Sequence, residues 1–240
     1  LLQQRPDHVY VAQSGLIGGD LPTHRTPYTA AQTAYKLPDG AKTLEVRLEA
    51  PPVNGVRVTK VYRFERGRYL IDVAFEIQNA GTAPIQHYGY FQILRDDQAP
   101  VGDSAMLPTY TGVGVYTDKA KFQKVDFSDV AENKTDYPKT SEDGWIAMLQ
   151  HYFLSAWLPK NGTPREFYTR RVESLYAAGV IVPHVYSAEE ARRQAALFPL
   201  WFLGLAGLVN GVAHPLLAAR GGGYFPGVAT APLVAVAGLL

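Results

Sequence analysis

The 240-residue chain contains no cysteine. That absence excludes a disulfide framework, a thiolate metal site and a cysteine nucleophile. Charge is nearly balanced, with 23 Lys and Arg against 22 Asp and Glu, so the net charge of +1 provides no global field for nucleic acid or an anionic membrane. The sequence also lacks a phosphate-binding loop and a nucleophile elbow. None of these common catalytic motifs is therefore present, and the apolar content of the chain is its more informative feature.

Apolar residues are abundant, at 47% of the chain, whereas charged residues make up 19%. This composition supplies a sizeable core and argues against disorder. The length suits one large all-β domain, or one domain with an appendage. The chain begins at Leu1 without a methionine and stops inside an apolar run, so we expect it to be a fragment of a longer protein.

Residues 1–182 carry short segments with the polarity pattern of β-strands, broken by Gly, Pro, Asn and Asp. Turns are predicted at Gly67 and at Gly81, because glycine adopts the positive φ that tight turns require. The succession of short strands, with almost no helical periodicity, predicts an antiparallel sandwich. The predicted strands are residues 44–49, 56–64, 69–77, 88–94 and 110–117.

The segment Gly144–Pro159 contains two Trp, a Tyr and a Phe, and no charged side chain. Aromatic side chains each bury a large area, so such a run belongs in a core or an interface. Its apolar spacing suits either a helical stripe or a strand covered on both faces. Because Gly and Pro flank it and aromatics fill it, we predict one inner strand over residues 145–157.

The end of the chain has a different composition. Ala195–Ala219 is 25 residues without a charge, long enough to span a hydrocarbon core as a helix. Gly221–Gly223 is a flexible break, and Tyr224–Leu240 begins a second apolar stretch. We therefore predict two parts: residues 1–182 as the sandwich domain, and residues 183–240 as an apolar α-helical tail. A transmembrane hairpin and a buried core helix are the two interpretations of that tail.

Four segments resemble, in the same order, the large periplasmic domain of the YidC family of bacterial membrane protein insertases. The late segment Gly144–Trp157 is the most characteristic, with two tryptophans around the Ala-Met-Leu-Gln core. An early Ala-Gln-Ser-Gly-Leu element, a Lys-to-Tyr hairpin and a Tyr-to-Phe loop and strand accompany it. These three segments are Tyr10–Gly18, Thr59–Tyr69 with the turn at Asn79 and Gly81, and Tyr116–Phe127.

The resemblance implies an antiparallel β-supersandwich in the periplasm of a bacterial inner-membrane protein. It also implies partners: accessory subunits of the Sec translocon and nascent membrane proteins, with the membrane reached through the C-terminal tail and no nucleic acid bound. The implied function is to assist insertion and folding of inner-membrane proteins without catalysis. After Tyr176 the family's continuation into its helical bundle is absent, so insertase activity does not transfer to this chain by itself.

No constellation predicts a catalytic, cofactor-binding or metal-binding residue, and no cofactor is expected. Adjacent carboxylates at Asp96-Asp97 and Glu189-Glu190 point in different directions on a strand or helix, which is typical of solvated loop charge. The six histidines lack zinc-site spacing, although His87 and His151 could converge in a folded sandwich. Gly112-Val113-Gly114 is interpreted as a strand kink.

Two other functions stay open. One is a carbohydrate-binding or mutarotase-like sandwich, and the other is a small membrane protein whose function lies in the tail. A groove lined by converging Trp or Tyr rings with carboxylates would favour the sugar-binding alternative. A flat, mostly apolar exposed surface would favour protein partners.

Overall fold

The fold is seen in a computed structural model that describes residues 2–5, 7–81, 84–99, 109–150, 153–183 and 195–198. The chain forms two compact units, Leu1–Leu197 and Phe198–Leu240, and the described residues lie in the first apart from Phe198. They form fifteen strands and one short helix: β1 Gln3–Arg5, β2 His8–Ile17, β3 Thr29–Ala30, β4 Thr43–Glu49, β5 Val56–Glu65, β6 Leu70–Asn79, β7 Tyr88–Arg95, β8 Gly112–Thr117, β9 Lys121–Val125, α1 Phe127–Ala131, β10 Thr140–Ser141, β11 Trp145–Gln150, β12 Phe153–Trp157, β13 Arg165–Val172, β14 Leu175–Pro183 and β15 Ala195–Phe198.

The strands form two sheets. The small sheet has the order β1-β2-β7-β14-β13-β10, and the large sheet has the order β3-β4-β5-β6-β15-β12-β11-β8-β9. Neighbouring strands run antiparallel throughout the described part of both sheets, for example β2 with β7 and β5 with β6. The prediction of a mainly β, antiparallel architecture is confirmed.

The core lies between the two sheets and is aromatic at its centre. Phe91 of the small sheet contacts two rings of the large sheet, with its centroid 6.2 Å from that of Phe75 and 5.1 Å from that of Trp157. The Tyr10 hydroxyl of the small sheet donates to the Met148 carbonyl of the large sheet at 3.1 Å. Buried side chains of both sheets therefore share one core, as expected where two half-apolar sheets stack face to face.

The five strands predicted from alternation and aromatic content correspond to β4, β5, β6, β7 and β8. Their boundaries are set by turns of the predicted kind. Gly67 has a φ of 75° between β5 and β6, where a side chain would be strained. β6 ends at Asn79, whose side-chain oxygen accepts a hydrogen bond from the Gly81 amide at 2.9 Å.

The prediction of one inner strand over residues 145–157 is wrong. The chain reverses between Gln150 and Phe153, so the segment is a hairpin in which Ile146 pairs with Trp157 and Gln150 with Phe153. Both strands carry apolar residues at odd and at even positions, that is, on both faces of the sheet. The polarity pattern therefore does not reveal the turn between them. Trp157 is buried in the core as expected, but Trp145 lies on the outer face.

The predicted tail falls almost entirely outside the described residues. Its described part, Ala195–Phe198, is a strand, and Ala195 and Ala196 pair with Ile71 and Leu70 of β6. Within the described ranges there is no helix with the length and apolarity needed to cross a membrane. The helical tail and the domain boundary near Pro183 stay predictions.

Candidate interaction surface

The outer face of the large sheet divides into a charged half and an aromatic half that carries a single charge. Strand register and alternation assign each outward side chain. The charged half, on β4–β6, presents opposite charges on neighbouring strands, and Arg47 bridges Glu45 and Glu76. The other half, which we call the aromatic face, has one charge, Lys124, on its outward side, together with Tyr116, Phe122, Trp145, Leu149 and Leu154. The outward positions Gly112, Gly114, Ala147 and Ala156 are buried among these larger residues, and Phe122 and Lys124 are the most exposed members of the face.

Three rings form a row across the aromatic face. Phe122 of β9 pairs with Tyr116 of β8, and Tyr116 pairs with Trp145 of β11, so the rings occupy one register row. The Tyr116 and Trp145 rings stack with centroids 5.7 Å apart and planes 12° apart, while Phe122 lies 6.1 Å from Trp145. Phe122 is 41% exposed. Tyr116 and Trp145 are partly exposed, and partly exposed aromatic clusters of this kind are typical of protein interfaces.

Two glycines give these rings their positions. A Cβ on Gly114 would lie 2.5 Å from the Leu149 side chain and 2.8 Å from the Phe122 ring, so glycine lets both side chains lie flat across β8. Gly144 has a φ of 87°, and a Cβ there would collide with the Tyr116 carbonyl. The Gly-Trp pair thus brings the start of β11 close against β8 and places Trp145 beside Tyr116.

The buried Arg165 holds the chain on both sides of the β11–β12 hairpin. Its guanidinium has five N–H donors, and five hydrogen bonds of 2.5–3.0 Å run from it to backbone carbonyls. The side chain is 3% exposed, so these bonds form away from solvent. The five acceptors are the carbonyls of Glu142, Gly144, Pro159, Lys160 and Thr163. Arg165 therefore fixes the segments on both sides of the hairpin, including Gly144 next to Trp145.

A second buried arginine holds the opposite end of the hairpin and corrects a prediction. Arg95 is fully buried and donates to the Gln150 side chain at 2.9 Å and to the Asp96 carbonyl at 2.7 Å. The Asp96 carboxylate, predicted to be solvated, is instead 8% exposed and accepts from the Val9 amide, with His8 Nδ1 at 2.9 Å. Sequence alone missed it because its partners lie 87 and 88 residues away.

The carboxylates near the aromatic row are engaged within the chain. Asp143 accepts hydrogen bonds from the Asp118 amide at 3.0 Å and from the Ser141 hydroxyl at 3.1 Å. Asp118 in turn accepts from the Tyr116 hydroxyl at 3.2 Å. The rings lie in one row on a sheet and do not converge around a groove. A flat aromatic surface of this kind favours protein partners over sugars.

The remaining histidines, carboxylates and glycines considered from the sequence do not form a common site within the described residues. His151, Glu189 and Glu190 lie outside the described residues, so a pairing of His87 with His151 stays untested. Gly112 and Gly114 belong to a regular strand, and the predicted kink is absent from β8. Across the described ranges, no three His, Asp or Glu side chains are grouped as metal ligands.

The described chain is an antiparallel two-sheet sandwich whose large sheet carries an aromatic outer face, with buried arginines at both ends of its β11–β12 hairpin. The family model of the YidC periplasmic domain matches residues 1–202, and the chain belongs to that family. The membrane protein insertase YidC of Nitrosospira multiformis is 55% identical over 184 residues, which are 76% of this chain and 32% of that protein. The YidC of Dechloromonas aromatica is 49% identical over 192 residues, 79% of this chain and 35% of that protein.

The chain thus spans about a third of the length of these curated relatives. Among solved structures, a galactose mutarotase related enzyme from Lactobacillus acidophilus aligns with 73% of this chain and 72% of its own. Its TM-score is 0.39 at 6% sequence identity, a level at which the likeness supports no functional inference.

Proposed function

We propose that this chain is the periplasmic part of an inner-membrane insertase and works by binding proteins. It assists the insertion and folding of inner-membrane proteins, contacts accessory subunits of the Sec translocon and nascent membrane proteins, and makes or breaks no bond. The tail beyond residue 183 joins it to the membrane. The single observation that carries the proposal is the aromatic face, since Tyr and Trp supply much of the energy of protein interfaces.

The contrast between the halves of the large sheet supports this assignment. On β4–β6 the outward Arg47 bridges Glu45 and Glu76. Arg63 lies opposite Glu45 and Asp72 of the neighbouring strands, so much of this surface consists of paired charges that are well solvated. On β8, β9, β11 and β12 the outward residues are aromatic, aliphatic or glycine, apart from Lys124. Large exposed apolar patches on soluble domains mark binding sites.

Affinity capture of purified Sec accessory subunits in detergent tests the proposal. We expect the wild-type chain to retain them, and the double variant Trp145→Ser with Phe122→Ser to bind about tenfold more weakly, because both rings belong to the aromatic row of the face. Arg57→Ser, in the charged half, serves as the matched control and keeps wild-type binding.

Urea unfolding of each variant separates lost contact from lost fold. If the wild-type chain captures none of the subunits, the proposed partner is wrong. If the double variant stays folded and binds like wild type, the aromatic face is not the contact surface.

A further inference from the structure

Lys60 is a charged side chain in the interior of the sandwich, where it is 6% exposed. The alternation of β5 places it on the inner face with Val58 and Tyr62. Its ammonium donates to the Ser14 carbonyl at 3.1 Å, which links the large sheet to the small one. Ser14 lies beyond the stretch of β2 that pairs with β1, since that pairing ends at Tyr10.

Aromatic rings surround this ammonium. Its nitrogen lies 5.2 Å from the ring centroid of Tyr62, 5.5 Å from that of Phe75 and 5.9 Å from that of Tyr28. Ring faces attract a cation, but less strongly than a carboxylate does. Lys60 forms no ion pair within the described part of the chain, and burial accordingly lowers its pKa to about 8.

Donors outnumber acceptors around Lys60. An ammonium carries three N–H donors, and Ser14 accepts one of them. The Tyr28 hydroxyl is buried and has no hydrogen-bond partner among the described residues. The Tyr62 phenol is occupied by a hydrogen bond with Ser14. Buried donors without acceptors are rare in native proteins, and each requires a physical explanation.

The surrounding field is positive as well. Burial lowers the pKa of His24, which lies beside this region, and the three cations Arg25, Lys60 and Arg170 lower it further. A water molecule would accept hydrogen bonds from Lys60 but leave its charge without a counter-charge.

We propose that Lys60 and Tyr28 form a binding site for a carboxylate with an apolar body. The ammonium and the phenol O–H donate to the carboxylate oxygens, and the half-buried Tyr28 and Tyr62 rings contact the apolar part. A monoanion matches the single buried charge, whereas a dianion would leave one charge uncompensated. The carboxylate belongs either to a small free acid or to a peptide, and both present the same group.

Calorimetric titration at pH 7 with benzoate, in a chloride buffer of constant ionic strength, tests the site. We expect saturable binding of benzoate and none of benzamide, which has the same shape without the charge. Lys60→Met is expected to weaken benzoate binding by about tenfold or more, because a charge-assisted hydrogen bond is lost, and Tyr28→Phe to weaken it severalfold. Lys119→Met, at an exposed lysine, leaves the affinity unchanged.

Two results would overturn the proposal: equal binding of benzoate and benzamide, or undiminished benzoate binding by a folded Lys60→Met variant. If Lys60→Met fails to fold, Tyr28→Phe tests the site instead, since it removes only the unpaired hydroxyl. Undiminished benzoate binding by Tyr28→Phe would then overturn the proposal. An N-acetylated dipeptide with a C-terminal Phe, as the free acid and as the amide, identifies the source. Preference for the peptide acid over benzoate indicates a peptide, and the reverse preference indicates a small acid. The outcome is independent of the Sec-binding test.

Discussion

Arg165→Met is expected to lower the free energy of unfolding by about 3–5 kcal/mol, because it leaves five buried carbonyls without their hydrogen-bond donor. All five guanidinium donors bond carbonyls of the two segments that flank the β11–β12 hairpin. Methionine fills a similar volume but donates nothing, so those carbonyls lose their partner in a place where water does not replace it. Urea unfolding followed by circular dichroism measures the change.

The matched control is Arg171→Met on the same strand. Arg171 is exposed and donates to the Glu173 carbonyl, so its replacement is expected to change stability by less than about 1 kcal/mol. Equal stability losses in the two variants would contradict the role assigned to Arg165. A stable Arg165→Met variant with native Trp fluorescence would contradict it too.

Lys60→Met is expected to remove a rise in stability that the wild-type protein shows between pH 7 and pH 10. The folded pKa of Lys60 is about 8, below the ordinary lysine value of 10.5. At pH 7 the ammonium is charged in both states, and the folded state bears the full cost of burying it. As the pH rises through 8 the folded state releases its proton first, so stability increases by about 2–3 kcal/mol before pH 10.

Two tyrosines near Lys60 act in the upper part of that interval. Burial raises the pKa of Tyr28 to about 12 and also raises that of Tyr62, so the unfolded chain ionises first and both destabilise the fold as the pH rises from about 9, in wild type and Lys60→Met alike. The pKa of His24 is lowered from 6.5, so its contribution is complete below pH 7. Arg25 and Arg170 face the same region as cations. Urea unfolding in carboxylate-free buffers tests this, and equal slopes for Lys60→Met and wild type would refute it.

The strands were predictable from sequence where one face of the strand is exposed to solvent and the other is buried. In β4, Leu44, Val46 and Leu48 alternate with charged residues, and the period of two is unambiguous. The prediction for residues 145–157 was wrong for the opposite reason. Its residues are apolar at both parities, because β11 and β12 have apolar neighbours on both sheet faces, and polarity therefore gives no indication of the turn between them.

The sites were less predictable than the strands. Lys60 had a usable signal, since it occupies an inward position between Val58 and Tyr62, and a lysine in an apolar alternation indicates a buried cation. Arg165 and Asp96 had none, because the Arg165 acceptors are all backbone carbonyls, which any residue carries, and the Asp96 partners His8 and Val9 lie 88 and 87 residues away. The aromatic face combines three strands that are separated in sequence, and only the register joins Tyr116, Phe122 and Trp145 into one row.

Site-specific photo-crosslinking in cells tests the aromatic face most directly. A benzophenone side chain replaces Phe122 on the aromatic face, or Arg57 in the charged half, in the chain expressed in the periplasm of a bacterial cell. We expect adducts with Sec accessory subunits or nascent membrane proteins from position 122 and none from position 57. Adducts from position 57 alone, or no adduct from position 122, would contradict the assignment of this face as the contact surface.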